Sequence, residues 1–359
     1  MPMQISSLQK ISNSFKNELE EAAAGKKTSL PFIRHHLSIE PKVKKDEVFQ
    51  VLRIGGSIYQ NVLAKRVDGN IVIVKSTQKP LPVFTTEKVF LSFIDRVLDP
   101  DISHLALNFA YPMAPITRDG YLDGTLIMGT KEHSFDGMVG KNIGETIEKH
   151  ILDKKKRVIH TAIANDTVCL LLSGLTQFKW ESLVGGIVGT GLNFAIFLDQ
   201  ETIVNLEAAN FDKFEQSPSG KLIDGSSARP HSALYEKETS GGYLYQHFNI
   251  RLQKEGLDFP HVASTKDMDK IAFSNIPRVS EIAQQVSDHS SSLIACQVAG
   301  IANFYNRDCV IVVEGSLFWK GWRYKENVGV ITRELVPNHQ ISFVFVEESG
   351  VLGAAKLLS

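Results

Sequence analysis

Two short glycine turns, each set between apolar runs, constrain this chain more than any other feature: Ile54-Gly55-Gly56-Ser57 in the first half and Val188-Gly189-Thr190-Gly191 in the second. Apolar residues on both sides of such a turn read as strand, hairpin, strand. The first turn joins a strand over 48–54 to one over 59–67, and Asp68-Gly69-Asn70 turns the chain into a third over 71–75. Residues 86–98 then carry Val89, Phe90, Ile94, Val97 and Leu98 at helical spacing, and Pro100 stops that helix. Strand-like stretches at 105–111 and 125–128 follow, and a helix over 143–156 with Asn142 as N-cap completes an α/β unit. The second half repeats the plan, with a strand over 158–164, a helix from Thr167 and strand, glycine turn, strand over 185–198. The expectation is an α/β chain of two similar domains that face one another.

Composition agrees with that reading. A chain of 359 residues with 43% apolar and 22% charged residues buries two ordinary cores. Its net charge of -1 makes no field that would gather nucleic acid or an anionic membrane, so neither is expected as a partner. Cys169, Cys296 and Cys309 lack CxxC spacing, which argues against a disulfide framework or a zinc site. The N-terminus shows no basic-then-apolar export pattern, and the expected location is the cytoplasm. It reads as an amphipathic helix with Ile5, Leu8, Ile11, Phe15 and Leu19 on one side. Lys154-Lys155-Lys156-Arg157 reads as the solvated last turn of a helix, where cations suit the dipole. Residues 215–232, rich in Ser, Gly and Pro, read as a long surface loop.

Several short motifs carry chemistry. The bland explanation of each glycine turn is a positive φ in a tight hairpin; the functional one is a side-chain-free turn whose N–H groups approach phosphate, with Ser57 and Thr190 adding hydroxyl donors. Asn165-Asp166-Thr167 falls where a buried strand gives way to a helix. Its bland explanation is a helix cap; the alternative makes Asp166 a base that takes a hydroxyl proton during phosphoryl transfer. A polyhydroxylated substrate needs directional polar partners, because each hydroxyl loses water on binding. Asn193, Glu236, and Glu207 in the apolar run Val204-Asn205-Leu206-Glu207-Ala208 are candidates for that work, set against turn-amide, helix-surface and edge-strand explanations.

Together these residues resemble the hexokinases, within the kinases that share the actin-like, ribonuclease H-like fold. The stretches 163–168, 187–193, 129–131, 204–207 and 236–244 are similar to that family's catalytic, second phosphate and sugar-binding motifs, in the family's order. Near the end, Glu314-Gly315-Ser316-Leu317 and Ser349-Gly350-Val351-Leu352-Gly353 resemble its adenosine-side and C-terminal segments. The resemblance implies a two-domain fold with an interdomain cleft: residues 1–45 packing on the large domain, 46–166 the small domain, 167–359 the large one, with the last few residues returning to the small one. It implies transfer of phosphate from ATP, with Mg²⁺, to the 6-hydroxyl of a hexose, glucose first among them, as in glycolysis. Asp166 would be the base, and Thr130, Lys131, Asn165, Asp166, Asn193, Glu207 and Glu236 would bind sugar. Arg53, Gly55, Gly56, Ser57, Gly189, Thr190 and Gly191 would lie at the phosphates, and Gly315, Ser316 and Gly350 on the adenosine side.

Three departures from the family pattern stand out. Arg53 occupies the position of an aspartate that helps to place magnesium, Ala110 replaces a sugar-binding serine before Tyr111-Pro112, and Ile58 replaces an asparagine. Exchanging an acid for a base there removes a magnesium contact and introduces a phosphate-seeking cation. These changes motivate an alternative reading, a catalytically weakened, hexokinase-like sugar-binding regulator.

Overall fold

The computed structural model describes residues 3–129 and 132–359, so Thr130 and Lys131 lie outside the described residues. The chain opens with helix α1 (Ile5–Ala23) and strands β1 (Ile33–His36), β2 (Val48–Ile54), β3 (Ile58–Val67) and β4 (Asn70–Pro80). Helix α2 (Glu87–Val97), strands β5 (His104–Phe109), β6 (Met113–Arg118) and β7 (Tyr121–Leu126), helix α3 (Ile143–Lys155), β8 (His160–Ala164) and α4 (Asp166–Ser173) follow. The second half holds β9 (Leu183–Val188), β10 (Leu192–Phe197), β11 (Thr202–Asn205), α5 (Pro218–Ser226), α6 (Leu234–Thr239), α7 (Leu244–Lys254), α8 (Thr265–Ala272) and α9 (Val279–Tyr305). It ends with β12 (Cys309–Glu314), α10 (Ser316–Lys320), α11 (Tyr324–Leu335), β13 (Ile341–Val344) and α12 (Ser349–Ala355). The strands form a six-stranded sheet of order β1-β11-β10-β9-β12-β13, a five-stranded sheet of order β4-β3-β2-β5-β8, and the hairpin β6-β7.

Contacts divide the chain into two compact units. The first comprises residues 1–32, 186–194 and 206–345, and the second residues 33–185, 195–205 and 346–359. In the second unit β2, β5 and β8 run parallel, while β3 and β4 add antiparallel neighbours. Alternation along β2 and β5 sorts their side chains onto two faces. Leu52, Ile54, Leu105, Leu107 and Phe109 join Phe90 and Ile94 of α2 and Ile143, Ile147 and Ile151 of α3 in one buried cluster. Phe84 and Phe135 complete it with tilted and edge-on ring contacts. Each fully buried side chain of this size contributes about 1.5–3 kcal/mol of transfer free energy. The opposite face carries Arg53 and Asn108, directly paired across the ladder, and packs against α12. In the first unit α1 buries Leu8, Ile11, Phe15 and Leu19 while Ile5 stays exposed. Its seat is α9, where Gly300 leaves room for Phe15: a Cβ there would lie 2.8 Å from the ring.

Several expectations are corrected. The stretch 215–232 is not a continuous loop, because α5 occupies its centre with Ser217 capping Gly220 N–H and Pro218 in the first turn. It is also tied down by a buried ion pair, Asp224 Oδ1 to Lys237 Nζ at 2.5 Å. Glu207 does not lie in a strand: β11 ends at Asn205, and Glu207 has φ +52°. Asn142 precedes α3 without capping it through its side chain. The buried carboxylate of Asp123 accepts from Gly144 and Glu145 N–H instead, at 2.8 and 3.2 Å. The basic run matches its expectation: Lys154 and Lys155 close the last turn of α3 in solvent, on Asp95, and Arg157 holds the Asp99 and Pro100 carbonyls. The glycines of the two hairpin turns lie outside the left-handed region, so positive φ does not explain them.

Helix α12 packs closely on α4, where a Cβ on Gly353 would fall 1.6 Å from the Cys169 carbonyl oxygen. Overpacking of this kind costs about 1–3 kcal/mol. Gly353→Ala should therefore lower the unfolding free energy in urea by that margin, whereas Gly225→Ala, in α5 where a Cβ meets nothing within 4 Å, should leave it unchanged or raise it; equal stabilities for the two would contradict the packing.

Candidate functional site

Polar residues singled out from the sequence gather at two places, one in each unit. In the first unit the centre is the turn Gly189-Thr190-Gly191 between β9 and β10. Its Gly189 N–H bonds the Gly191 carbonyl at 3.0 Å. Gly241 N–H bonds the Gly189 carbonyl at 2.7 Å and Gly242 N–H the Thr190 carbonyl at 3.0 Å, so the segment after α6 lies against the turn. Gly315, with φ +133°, follows β12 and closes on the same turn; a Cβ on it would be 2.1 Å from the Val188 carbonyl oxygen. Glycine is required here by the approach of three backbone segments. Ser316 starts the short helix behind Gly315. Thr190 at the tip stays exposed.

Three polar side chains converge beside this turn. Glu236 on α6 reaches back so that its Oε2 accepts the Leu192 N–H at 3.0 Å. Asn193 Oδ1 accepts from Phe194 and Ala208 N–H, at 2.8 and 3.3 Å, which leaves its amide nitrogen to face Glu207 Oε1 at 3.4 Å. Glu207 is held in its left-handed conformation by Asn210, whose backbone N–H and Nδ2 both donate to the Glu207 carbonyl. Such a conformation costs of order 1 kcal/mol or more and aims the side chain where a strand would not. Burial pushes the Glu236 carboxyl above its ordinary value and the Glu207 charge adds to this, while the Leu192 N–H favours the ionised form. Two carboxylates and an amide from three elements present acceptors and a donor suited to hydroxyl groups.

In the second unit the residues lie at the carboxyl ends of the parallel strands. Arg53 of β2 pairs in register with Asn108 of β5, and Asn108 with Ala164 of β8. Asn165 follows and caps α4, its Oδ1 accepting Val168 N–H at 2.9 Å. Asp166 occupies the first helical position, where its Oδ1 accepts Thr167 N–H at 2.8 Å. Arg53 passes over Gly350: a Cβ on that glycine would meet Arg53 Nε at 2.7 Å and Asn108 Nδ2 at 2.9 Å. Gly350, expected beside adenosine, is thus packed on Arg53, while Gly315 and Ser316 belong to the other unit. The turn Gly55-Gly56-Ser57 extends from β2, with Gly55 N–H on the Ile58 carbonyl and Gly56 and Ser57 exposed. Nothing lies within 4 Å of a Cβ built on Gly56. Ala110 follows β5 and presents no side-chain donor.

Two further polar groups received no role in the sequence reading. Asn108 is 1% exposed, and its Oδ1 has no hydrogen-bond partner among the described residues although its Nδ2 holds the Gly350 carbonyl at 3.1 Å. Ser240, 1% exposed at the end of α6, likewise has an unpartnered hydroxyl. An amide inside the apolar run His104-Leu105-Ala106-Leu107-Asn108-Phe109 was the available signal for the first; the second lies in the 236–244 stretch already singled out, without a role given to its hydroxyl. Among the described residues no group of three or more Asp, Glu, His or Cys is arranged to hold a metal ion, and no helix is long and apolar enough to cross a membrane.

Comparison with known proteins bears on these groupings. A family model described as hexokinase matches residues 1–176, and a second with the same description matches residues 258–358. The hexokinase of Emericella nidulans is 23% identical over 97% of this chain and 86% of its own length. A hexokinase crystal structure superposes with a TM-score of 0.81 at 20% identity, covering 99% of this chain and 96% of the other. Hexokinase from Schistosoma mansoni, solved with glucose, gives a TM-score of 0.77 at 19% identity, covering 99% of this chain and 95% of that one. The fold is the two-domain actin-like fold of the sugar kinases, and with family models of one description covering most of its length, the chain belongs to the hexokinase family.

Proposed function

We propose that this chain, a hexose kinase by family, transfers the γ-phosphoryl group of ATP to the 6-hydroxyl of a hexose, glucose first among them, with Asp166 as general base. The observation that carries the reading is the convergence of Asn193, Glu207 and Glu236 on one glycine turn, a set of directional polar groups that a plain ATPase has no use for. Asn193 donates to a sugar oxygen, and Glu207 and Glu236 accept from sugar hydroxyls, together with Asn165 and the Thr130-Lys131 pair implied by the family resemblance. Asp166 takes the proton of the attacking hydroxyl as the new O–P bond forms and the bond to the leaving ADP oxygen breaks. Placement at the first turn of α4 also puts its charge where the helix dipole favours it.

The phosphate tail of ATP is assigned to the two glycine turns, with Arg53 supplying a cation beside the first. Mg²⁺ bound together with ATP would neutralise phosphate charge, and Arg53 would add a cation at the first turn. The second reading, a sugar-binding regulator that turns over poorly, is favoured by one observation: an arginine stands where the family places an acid, and its stem is boxed in by Gly350 and Asn108.

The deciding measurement is ADP release from Mg-ATP with and without glucose, fructose, mannose or N-acetylglucosamine. Release that depends on a hexose is expected; sugar binding without release would favour the regulator, and release indifferent to sugar would remove both readings. Asp166→Asn should keep sugar binding and lower kcat by about two to four orders of magnitude; unchanged turnover would take Asp166 out of the mechanism. Arg53→Asp should lower kcat if the arginine contacts phosphate, and a faster variant would mark it as a lesion.

Glu236 gives a test that needs no turnover. A carboxyl raised by burial contributes stability that is complete below its unfolded value and lost as pH rises through its folded one. At pH 7 its ionised form is therefore a burden on the apo fold. Glu236→Gln should raise the urea midpoint at pH 7, lose that advantage towards pH 4, and weaken hexose binding. A midpoint difference independent of pH would overturn the placement of this group.

A further inference from the structure

We propose that the first unit carries a second ligand site, separate from the hexose-binding residues, for a small organic anion with an apolar body, and that its occupancy alters hexose affinity. A cavity of about 590 Å³ opens between α5, α7 and α9. That volume lies in the range of small-molecule sites, about 300–1,000 Å³. One wall is apolar, made by Leu222, Ile250 and Val286.

Charge selects the occupant. Of the acidic groups at this cavity, Glu255 is neutralised by a two-point pair with Arg278, at 2.6 and 2.8 Å. Glu238 is 1% exposed and already satisfied, with Oε1 accepting Ser217 N–H at 2.8 Å and Oε2 facing His289 Nε2 at 3.3 Å. The cations are not matched in this way. Among the described residues Arg251, half-buried, hydrogen-bonds the neutral amide of Gln285 and makes no ion pair of its own; the Glu255 charge one turn along α7 acts on it, but that carboxylate is already held by Arg278, and Lys254 makes no ion pair. Burial pulls the Arg251 guanidinium below its ordinary value, the mark of a cation held in poorly solvated surroundings. A carboxylate, sulfonate or phosphate group at Arg251 and Lys254, with its body on the Leu222 wall, completes both halves of the cavity.

Helix α6 makes the connection to the hexose residues. Glu238, on the cavity side, and Glu236, on the Leu192 side, are two residues apart on a six-residue helix. The residues that follow donate their N–H groups to the Gly189-Thr190-Gly191 turn. An occupant of the cavity that moves α6 through its Glu238 wall moves Glu236 with it. Such coupling is reciprocal: the factor by which the anion changes hexose affinity is the factor by which hexose changes anion affinity.

The probe is 1-anilinonaphthalene-8-sulfonate, an apolar anion whose fluorescence rises on binding, titrated into the full chain. One saturable site per chain is expected. Leu222→Asp on the exposed wall and Lys254→Glu on the rim, both at solvent-facing positions the fold does not depend on, should each weaken it by at least about tenfold, or 1.4 kcal/mol. Hexose-dependent ADP release without the probe should be unchanged in both variants. Equal probe affinity in parent and variants would overturn the site, and probe affinity unchanged by saturating glucose would overturn the coupling. The coupling rests on the hexokinase reading, whereas the binding titration does not, so a failure of one is told apart from a failure of the other.

Discussion

Backbone packed on backbone without intervening side chains is the constraint from which the first unit is built. The turn Gly189-Thr190-Gly191 accepts N–H groups from Gly241 and Gly242 on one side and receives Gly315 on another. That arrangement brings the ends of β9, α6 and β12 together without a filling side chain, and it leaves Glu236 the room to reach Leu192 N–H past Gly191, where a Cβ would stand 3.1 Å from its carboxylate. Any side chain at Gly315 or Gly241 would part these segments by about the width of a methyl group. Glu236, Asn193 and the turn would then lose their common reference.

The other unit solves a different problem, that of setting polar groups inside a sheet packed on both faces. Apolar alternation gives one face to the aromatic cluster under α2 and α3, and the remaining face at the strand ends is given to Arg53 and Asn108. Both are accommodated because α12 arrives with a glycine. A buried amide with an unsatisfied oxygen costs about 1–3 kcal/mol, so Asn108 is an expense that packing alone does not explain. Local conflicts of this kind are what a functional region imposes on an otherwise consistent fold.

Much of the architecture was legible. β2 was read to the residue because an apolar run ends in a glycine pair, and α2 to within one residue at each end from its apolar spacing before Pro100, whereas α4 starts one residue before the expected Thr167, with Asn165 as its cap. What failed depended on partners remote in sequence. Asp123 caps α3 from across a hairpin whose first strand, with Pro115 inside it, gives no strand signal. Ser217-Pro218 is a proper helix start, but the surrounding serines and glycines masked it. Of the candidate site, residue identities were legible and grouping was not. Glu207 stood out as a charge in an apolar run, yet the turn that aims it comes from Asn210 and from Gln297 Nε2 holding the Ala208 carbonyl at 2.9 Å.

The seat of α12 bears on how such a chain is born. Gln60 holds Glu348 and Asn108 holds Gly350 across 288 and 242 intervening steps of sequence. On a ribosome adding roughly 5–20 residues each second, the sheet of the second unit is made early and waits tens of seconds for the helix that seals its Arg53 face. Throughout that interval a half-finished domain exposes apolar strand surface beside a cation. The length of that exposure follows from the order of segments along the chain, independently of how stable the finished molecule is.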